Sequence, residues 1–219
     1  MPMMNLNLSG FLNVFRLLAK PSLCLPHATV PTFGDLPNPL ENAFENSPKK
    51  PVIKAVVLDK DDCFAYPDTS GIHPPYLERF RQLQKEYPGH KLLIVSNTAG
   101  ATTYDRSGEL KTELETMTGA SVLSHRVKKP GCKDEIMAYF ESHPETGVTH
   151  PSQLAIIGDR LATDMMLANM MGSWGIWIRD GVRPLSQKSI FARVEHRIGP
   201  FLMGRGLRAP EPRSPFEEP

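Results

Sequence analysis

The amino-acid sequence predicts an α/β protein built on a parallel sheet, and two observations carry that expectation. Between residues 52 and 198, short runs rich in Val, Ile and Leu alternate with longer stretches of helical periodicity. Such alternation sets parallel strands side by side with helices on both faces. Several of these runs also empty directly into polar clusters, and open parallel sheets hold their sites outside the C-terminal ends of strands. The expected architecture is three-layered and Rossmann-like.

Taken in chain order, the first element is a helix over Leu8–Lys20, within a segment covering residues 1–20. At about 100° per residue, Ser9, Asn13, Arg16 and Lys20 share one face, and Leu8, Phe11, Leu12, Val14, Phe15 and Leu18 share the opposite one. This amphipathic helix ends at Pro21. It is too short and too polar to span a bilayer, and it lacks the cleavage pattern of a secretory signal. No acidic residue precedes Asp35, which is the bias of a mitochondrial presequence, although two basic residues in the helix are few for one. Its apolar face suits a membrane surface or packing on protein. Residues 21–51 are proline-rich with little helical pattern and read as an extended strap.

The main domain then spans residues 52–198. Strands are expected near 52–58, 91–95, 121–123, 154–157 and 174–178, with helices near 74–87, 105–118, 131–142, 161–171 and 185–198. Pro74 and Pro75 suit the opening turn of the first of these helices, and Pro88-Gly89 closes it. From Gly199 onward proline, glycine and charge predominate, so residues 199–219 are expected to form a disordered tail.

Composition sets limits. A chain of 219 residues with 40% hydrophobic content buries a full core, and its net charge of +1 carries no global nucleic-acid-binding signature. Cys24, Cys63 and Cys132 form no close-spaced pair and are expected to be free thiols in a reducing compartment. Cysteine and histidine are not spaced as metal ligands, and His125 is the only histidine near a candidate site residue.

The most informative stretch is Lys54-Ala55-Val56-Val57-Leu58-Asp59-Lys60-Asp61-Asp62. Carboxylates at the end of a buried strand repel one another and lose solvent, so they persist where a cation or a reaction uses them. As a lone motif, this one is equally well read as solvated turn acids and a cap. Three further polar clusters shift the balance: Ser96-Asn97 behind Leu92-Leu93-Ile94-Val95, then Lys128-Lys129-Pro130-Gly131, then Gly158-Asp159-Arg160-Leu161-Ala162-Thr163-Asp164 behind Leu154-Ala155-Ile156-Ile157.

This ordered set resembles the haloacid dehalogenase (HAD) superfamily of aspartate-nucleophile phosphatases over about residues 52–180. The resemblance implies Asp59 as nucleophile, Asp61 as general acid/base, Ser96 as a phosphate hydrogen-bond donor, and Lys129 as the charge clamp. It also implies a metal held by Asp59, the Asp61 backbone carbonyl, Asp159 and Asp164. Lys128 is the rival for the clamp; Lys129 is preferred because the superfamily's lysine commonly stands directly before proline. The chemistry is consistent on its own terms. Phosphoryl transfer needs an in-line nucleophile, a cation and fixed donors, a carboxylate serves by forming an aspartyl-phosphate, and an oxygen-only set suits Mg²⁺ over zinc.

Spacing bears on the substrate. Asp61 and Ser96 lie 35 residues apart, and Ser96 and Lys129 lie 33 apart, which leaves no room for the sizeable cap domain that many HAD enzymes insert. A capless, open site favours a protein or a membrane-presented phosphate over a small metabolite. From Arg179 to Arg208, seven Lys/Arg stand against Asp180 and Glu195, a bias that attracts anionic lipid.

A narrower resemblance follows from Asn7-Leu8-Ser9-Gly10-Phe11-Leu12-Asn13, Pro21-Ser22-Leu23-Cys24, Val30-Pro31-Thr32-Phe33 and Asp59-Lys60-Asp61-Asp62-Cys63. Together these look like the fungal mitochondrial phosphatidylglycerophosphate phosphatases. That family implies Mg²⁺-dependent release of phosphate from a membrane-embedded anionic phospholipid, within cardiolipin biosynthesis, by a peripheral protein on the matrix side of the inner mitochondrial membrane. Asn97, Arg126, Lys128 and Lys133 then become candidates for substrate binding, against the alternative of ordinary solvated charges. The family often has asparagine after its second aspartate, where this chain has Asp62, which is expected to face solvent. An exposed apolar helix joined to a strap leaves a homo-oligomer open, and no nucleic-acid partner is expected. The alternative function is a HAD phosphatase acting on a soluble phosphomonoester or a phosphoprotein.

Overall fold

The computed structural model describes residues 20–213; the helix expected over Leu8–Lys20 lies almost entirely outside them. The described chain forms one six-stranded sheet in the order β1-β6-β5-β2-β3-β4. The strands are β1 (Ala28–Val30), β2 (Ala55–Leu58), β3 (Leu92–Ile94), β4 (Ser121–Val122), β5 (Leu154–Gly158) and β6 (Trp174–Ile178). Every pairing is parallel.

Helices α1 (Leu77–Glu86), α2 (Glu109–Thr118), α3 (Lys133–Glu141), α4 (Met166–Met171) and α5 (Ile190–Gly204) lie between and after the strands. The Pro74–Tyr76 turn preceding α1 is a 3-10 helix, and the Leu161–Met165 turn preceding α4 is a π-helix.

Alternation along the strands builds the three layers. Val56 and Leu58 join Leu92, Ile94 and Ile157 in one apolar cluster with Phe80 and Leu83 of α1 and Leu114 of α2. Ala55 and Val57 point the other way, into a cluster with Leu93, Val95 and Ile156 that receives Ile136 and Phe140 of α3 and Leu167 of α4. Both faces of β2 are therefore covered, which is why it reads as an unbroken apolar run and not as an alternating one.

Two expectations are corrected here. Residues 21–51 are not merely an extended strap. They supply β1, which pairs with β6 from Ala28↔Ile176 to Val30↔Ile178, and they place Phe33, Leu40 and Phe44 in the core. The proline content hid a strand of only three residues, too short for a period-two pattern to register. Nor do residues 199–213 form a disordered tail. Helix α5 continues to Gly204, Leu202, Met203, Leu207 and Ala209 pack on Cys24, Leu25, Leu161, Met165 and Trp177, and His27 Nε2 meets the Pro210 carbonyl at 2.9 Å. Composition alone misled, because a few apolar contacts suffice to hold a Pro/Gly-rich end in place.

Candidate active site

Strand order reverses direction around β2: the chain passes from β2 to β3 and β4 on one side, then returns to β5 and β6 on the other. Such a switch opens a crevice at the C-terminal strand ends. Asp59 follows β2, Ser96-Asn97 follow β3 and Asp159 follows β5, so the polar clusters separated in sequence converge there.

The centre is a buried charge cluster. Lys129 Nζ lies 2.6 Å from Asp59 Oδ1 and 2.7 Å from Asp164 Oδ1. One buried ammonium thus bridges two buried carboxylates. Asp59, Asp159 and Asp164 each bring a carboxylate oxygen within 4.8 Å of the others. This oxygen-only set of three carboxylates fits a hard divalent cation. Lys188 Nζ sits 3.2 Å from Asp159 Oδ2, and the Asp159 carbonyl accepts from Trp177 Nε1 at 2.9 Å.

The electrostatics follow from crowding. Burial first, then the Asp164 charge, pushes the Asp59 carboxyl up to about 7, against the opposing pull of Lys129. Burial likewise raises Asp159 well above the usual carboxylate range, with Lys188 opposing and Asp59 adding to it. Burial would lower the Lys129 ammonium, but Asp164 and Asp59 outweigh it and raise it. The cluster holds an excess of negative charge that Lys129 and Lys188 offset only in part, so a bound cation would relieve it.

Gly158 explains the glycine that opens the last motif. A Cβ there would lie 2.4 Å from the Asp164 carboxyl carbon, and Arg160 N–H donates to Asp164 Oδ2 at 3.1 Å. The tight turn after β5 thus brings both aspartates of the motif onto one point.

Asp61 is less buried, and its carboxylate is held from two sides, with Lys60 Nζ paired to Oδ1 and Thr98 Oγ1 donating to Oδ2 at 3.0 Å. Ser96 is fully buried, with its Oγ 2.8 Å from Thr98 Oγ1 and 3.4 Å from Asp61 Oδ2. Asn97 Oδ1 accepts the Lys129 backbone N–H at 2.8 Å, which joins the loop after β3 to the lysine turn. His125 adds a second joint, its ring nitrogens 2.9 Å from the Val127 carbonyl and 2.8 Å from the Ser96 carbonyl.

A cleft of about 320 Å³ opens over this centre, lined by Asp59, Asp61, Asn97, Thr98, Lys129 and Asp159 together with Arg160 and Arg183. Arg126, Lys128 and Lys133 are not among its lining residues. Lys133 opens α3; the turn carrying Arg126 and Lys128 faces outward, tied by the Arg126 N–H to Glu135 at 2.7 Å, and of its two adjacent lysines Lys129 is buried while Lys128 is exposed. The clamp position preferred from sequence is the one the fold buries.

Asp62 departs from expectation. It is 6% exposed, adopts φ of 59°, and receives Arg183 Nε on Oδ1 at 2.9 Å and Arg183 Nη2 on Oδ2. The left-handed turn swings the carboxylate off the solvent side toward the loop after β6. Sequence reasoning also missed Thr98, Lys60, Arg183 and Lys188 around the cleft. Thr98, two residues beyond Ser96, was within reach of the motif; Arg183 and Lys188 were not, since only tertiary folding brings Arg183 across 121 positions to Asp62 and Lys188 across 29 to Asp159. Cys63, buried beside the centre, is not a nucleophile candidate, because burial raises its thiol far above the usual range.

A three-layer parallel sheet that gathers an aspartate behind the central strand, a lysine and a two-aspartate motif defines a phosphatase of the HAD class. The family model described as mitochondrial PGP phosphatase matches residues 8–183, and the chain belongs to that family. It is 48% identical, over 83% of its length and 94% of the relative's, to the mitochondrial phosphatidylglycerophosphatase GEP4 of Saccharomyces cerevisiae. It is 36% identical, over 82% of its length and 85% of the relative's, to a probable mitochondrial phosphatidylglycerophosphatase of Schizosaccharomyces pombe. A chloroplastic/mitochondrial phosphatidylglycerophosphate phosphatase 1 of Arabidopsis thaliana is 33% identical over 73% of this chain and 43% of its own.

Proposed function

We propose that this protein hydrolyses phosphatidylglycerophosphate to phosphatidylglycerol and phosphate through an aspartyl-phosphate on Asp59, with Mg²⁺ as cofactor. In this reading it works at the matrix side of the inner mitochondrial membrane, in the route to cardiolipin. The observation that carries the chemistry is the convergence of Asp59, Lys129, Asp159 and Asp164 at the switch point. Family membership supports the substrate.

Asp59 Oδ attacks phosphorus in line while Asp61 gives a proton to the departing glycerol oxygen. Asp61 then takes a proton from water as that water attacks the phosphorus of the acyl phosphate, which frees phosphate and restores Asp59. Lys129 and donors from Asn97 and Thr98, which line the cleft, hold the phosphoryl oxygens as charge spreads onto them, and the buried Ser96 hydroxyl positions Thr98 by accepting its backbone N–H at 3.1 Å. Asp59, Asp159 and Asp164 with the Asp61 carbonyl would hold Mg²⁺, which supplies charge neutralisation at the phosphoryl oxygens.

Among the described residues no cap covers the cleft, and a lipid head group reaching out of a bilayer needs that access. The cationic side chains on the cleft wall are already engaged, Arg160 with Glu195 and Arg183 with Asp62. A second phosphate would therefore compete for partly occupied guanidinium groups. The test is phosphate release from phosphatidylglycerophosphate in mixed micelles with and without Mg²⁺, beside soluble phosphomonoesters and an Asp59→Asn control. Fast Mg²⁺-dependent lipid turnover lost in the control is the expected result; turnover restricted to soluble esters overturns the lipid assignment.

A further inference from the structure

Helix α5 carries two apolar sectors, and the fold covers only one. On its inner side Glu195 forms a double hydrogen bond with Arg160 at 2.9 Å and 2.9 Å, His196 meets Asp180 at 3.2 Å, and Leu202 and Met203 pack beneath Trp177. The outer side presents Ile190, Phe191, Val194, Ile198 and Phe201, all exposed, with Ile190 at 67% and Phe191 at 75%. At about 100° per residue these five fall within a sector of about 100°. A contiguous stripe of large exposed side chains marks a surface that meets another phase or partner.

The charges around the stripe select the occupant. Arg193, Arg197, Arg205 and Arg208 are exposed, and Arg205 lies over the Phe201 ring at 4.9 Å. The one acid of the helix, Glu195, is turned inward. A second copy of the chain would bring arginine against arginine across a two-fold contact, and the N-terminal segment has no acid before Asp35 to answer them. Anionic lipid head groups do answer them, while acyl chains receive the stripe. The position also fits: Ser189 caps α5 by accepting the Ala192 N–H at 3.2 Å, and both residues line the cleft, so the stripe starts at its rim.

We propose that the outer face of α5 is a membrane-docking surface that seats on an anionic phospholipid bilayer and holds the cleft mouth at the interface. The inference deepens the lipid-phosphatase reading, from which it takes its biological setting, but its test does not depend on turnover. Full-length protein is floated with phosphatidylcholine vesicles that either contain or lack phosphatidylserine, and is compared with a Phe191→Ser/Phe201→Ser double variant.

The expected results are selective binding to the anionic vesicles and a loss of about tenfold or more in partitioning for the variant, the equivalent of removing one partly inserted phenylalanine. Melting temperature and turnover of a water-soluble phosphomonoester should remain unchanged. Undiminished binding by a folded variant overturns the proposal, as does a fall in oligomeric mass, which would assign the stripe to a second copy. Should the double variant fail to fold, Phe201→Trp is read instead. Its emission should be quenched by brominated lipid, since Trp174 and Trp177 are buried, and absence of quenching overturns the proposal. If vesicle binding is lost as expected while the wild type releases no phosphate from phosphatidylglycerophosphate, the docking surface stands and the substrate assignment falls.

Discussion

At the residue scale the cluster around Asp59 trades stability for a poised charge. Its carboxyl is raised to about 7 by burial and by Asp164, so in the metal-free protein the folded state keeps a proton that the unfolded state releases between about pH 4 and pH 7. The sign is fixed by that difference: stability declines as pH rises through the window. Thermal unfolding in chelator should show the melting temperature falling across it, and saturating Mg²⁺ should flatten the slope; a metal-free curve that climbs would contradict the assignment. Asp59→Asn removes the proposed nucleophile and a buried charge together, so phosphate release should drop to background while the melting temperature at pH 8 holds or rises. Gly158→Ala would drive a methyl group into the Asp164 carboxyl. Its expected effect is a loss of about 10–100-fold in divalent-cation affinity, read by titration calorimetry.

At the scale of elements, Asp105 ties the loop after β3 to the start of α2. Asp105 is buried and accepts backbone N–H groups from Gly100 at 3.0 Å, Leu110 at 3.3 Å and Lys111 at 2.9 Å. It therefore closes the loop carrying Ser96, Asn97 and Thr98 while satisfying the open N-terminal turn of α2. Burial alone would raise its carboxyl, but the backbone donors prevail and hold it below the usual range. Asp105→Ala should cost about 1.5–3 kcal/mol by urea unfolding near neutral pH. The difference from wild type should shrink as pH falls through the depressed titration of Asp105. If the loop sets the donor geometry, phosphomonoester turnover falls further than the stability loss explains.

At the scale of the whole molecule, the segment before β2 belongs to the catalytic domain. Phe33 is fully buried and stands with Phe64, Tyr76 and Phe80 at ring separations of 6.0, 5.8 and 6.2 Å, while β1 closes the β6 edge of the sheet. Phe33→Ala should destabilise the protein by about 3–5 kcal/mol, measured by chemical denaturation. A surface strap would lose under about 0.5 kcal/mol. At the other end, α5 and the chain beyond it pack against Cys24, Leu25 and Trp177. The two terminal regions of the described chain therefore brace each other across the β1-β6 edge.

The sequence by itself determined the central sheet and the candidate site groups that gather at its edge, because both are local signals. Unbroken apolar runs such as Ala55–Leu58 record burial on two faces, and Asp59, Ser96, Lys129, Asp159 and Asp164 each stand at a strand end or turn that a short window detects. Tertiary structure alone decided which neighbours those groups have. It paired Asp62 with Arg183 and Asp159 with Lys188, left Arg126, Lys128 and Lys133 off the cleft, drew residues 28–30 into the sheet, and exposed one sector of α5. Each of these outcomes rests on contacts between residues distant in sequence, where side-chain burial and charge compensation depend on packing that periodicity does not encode.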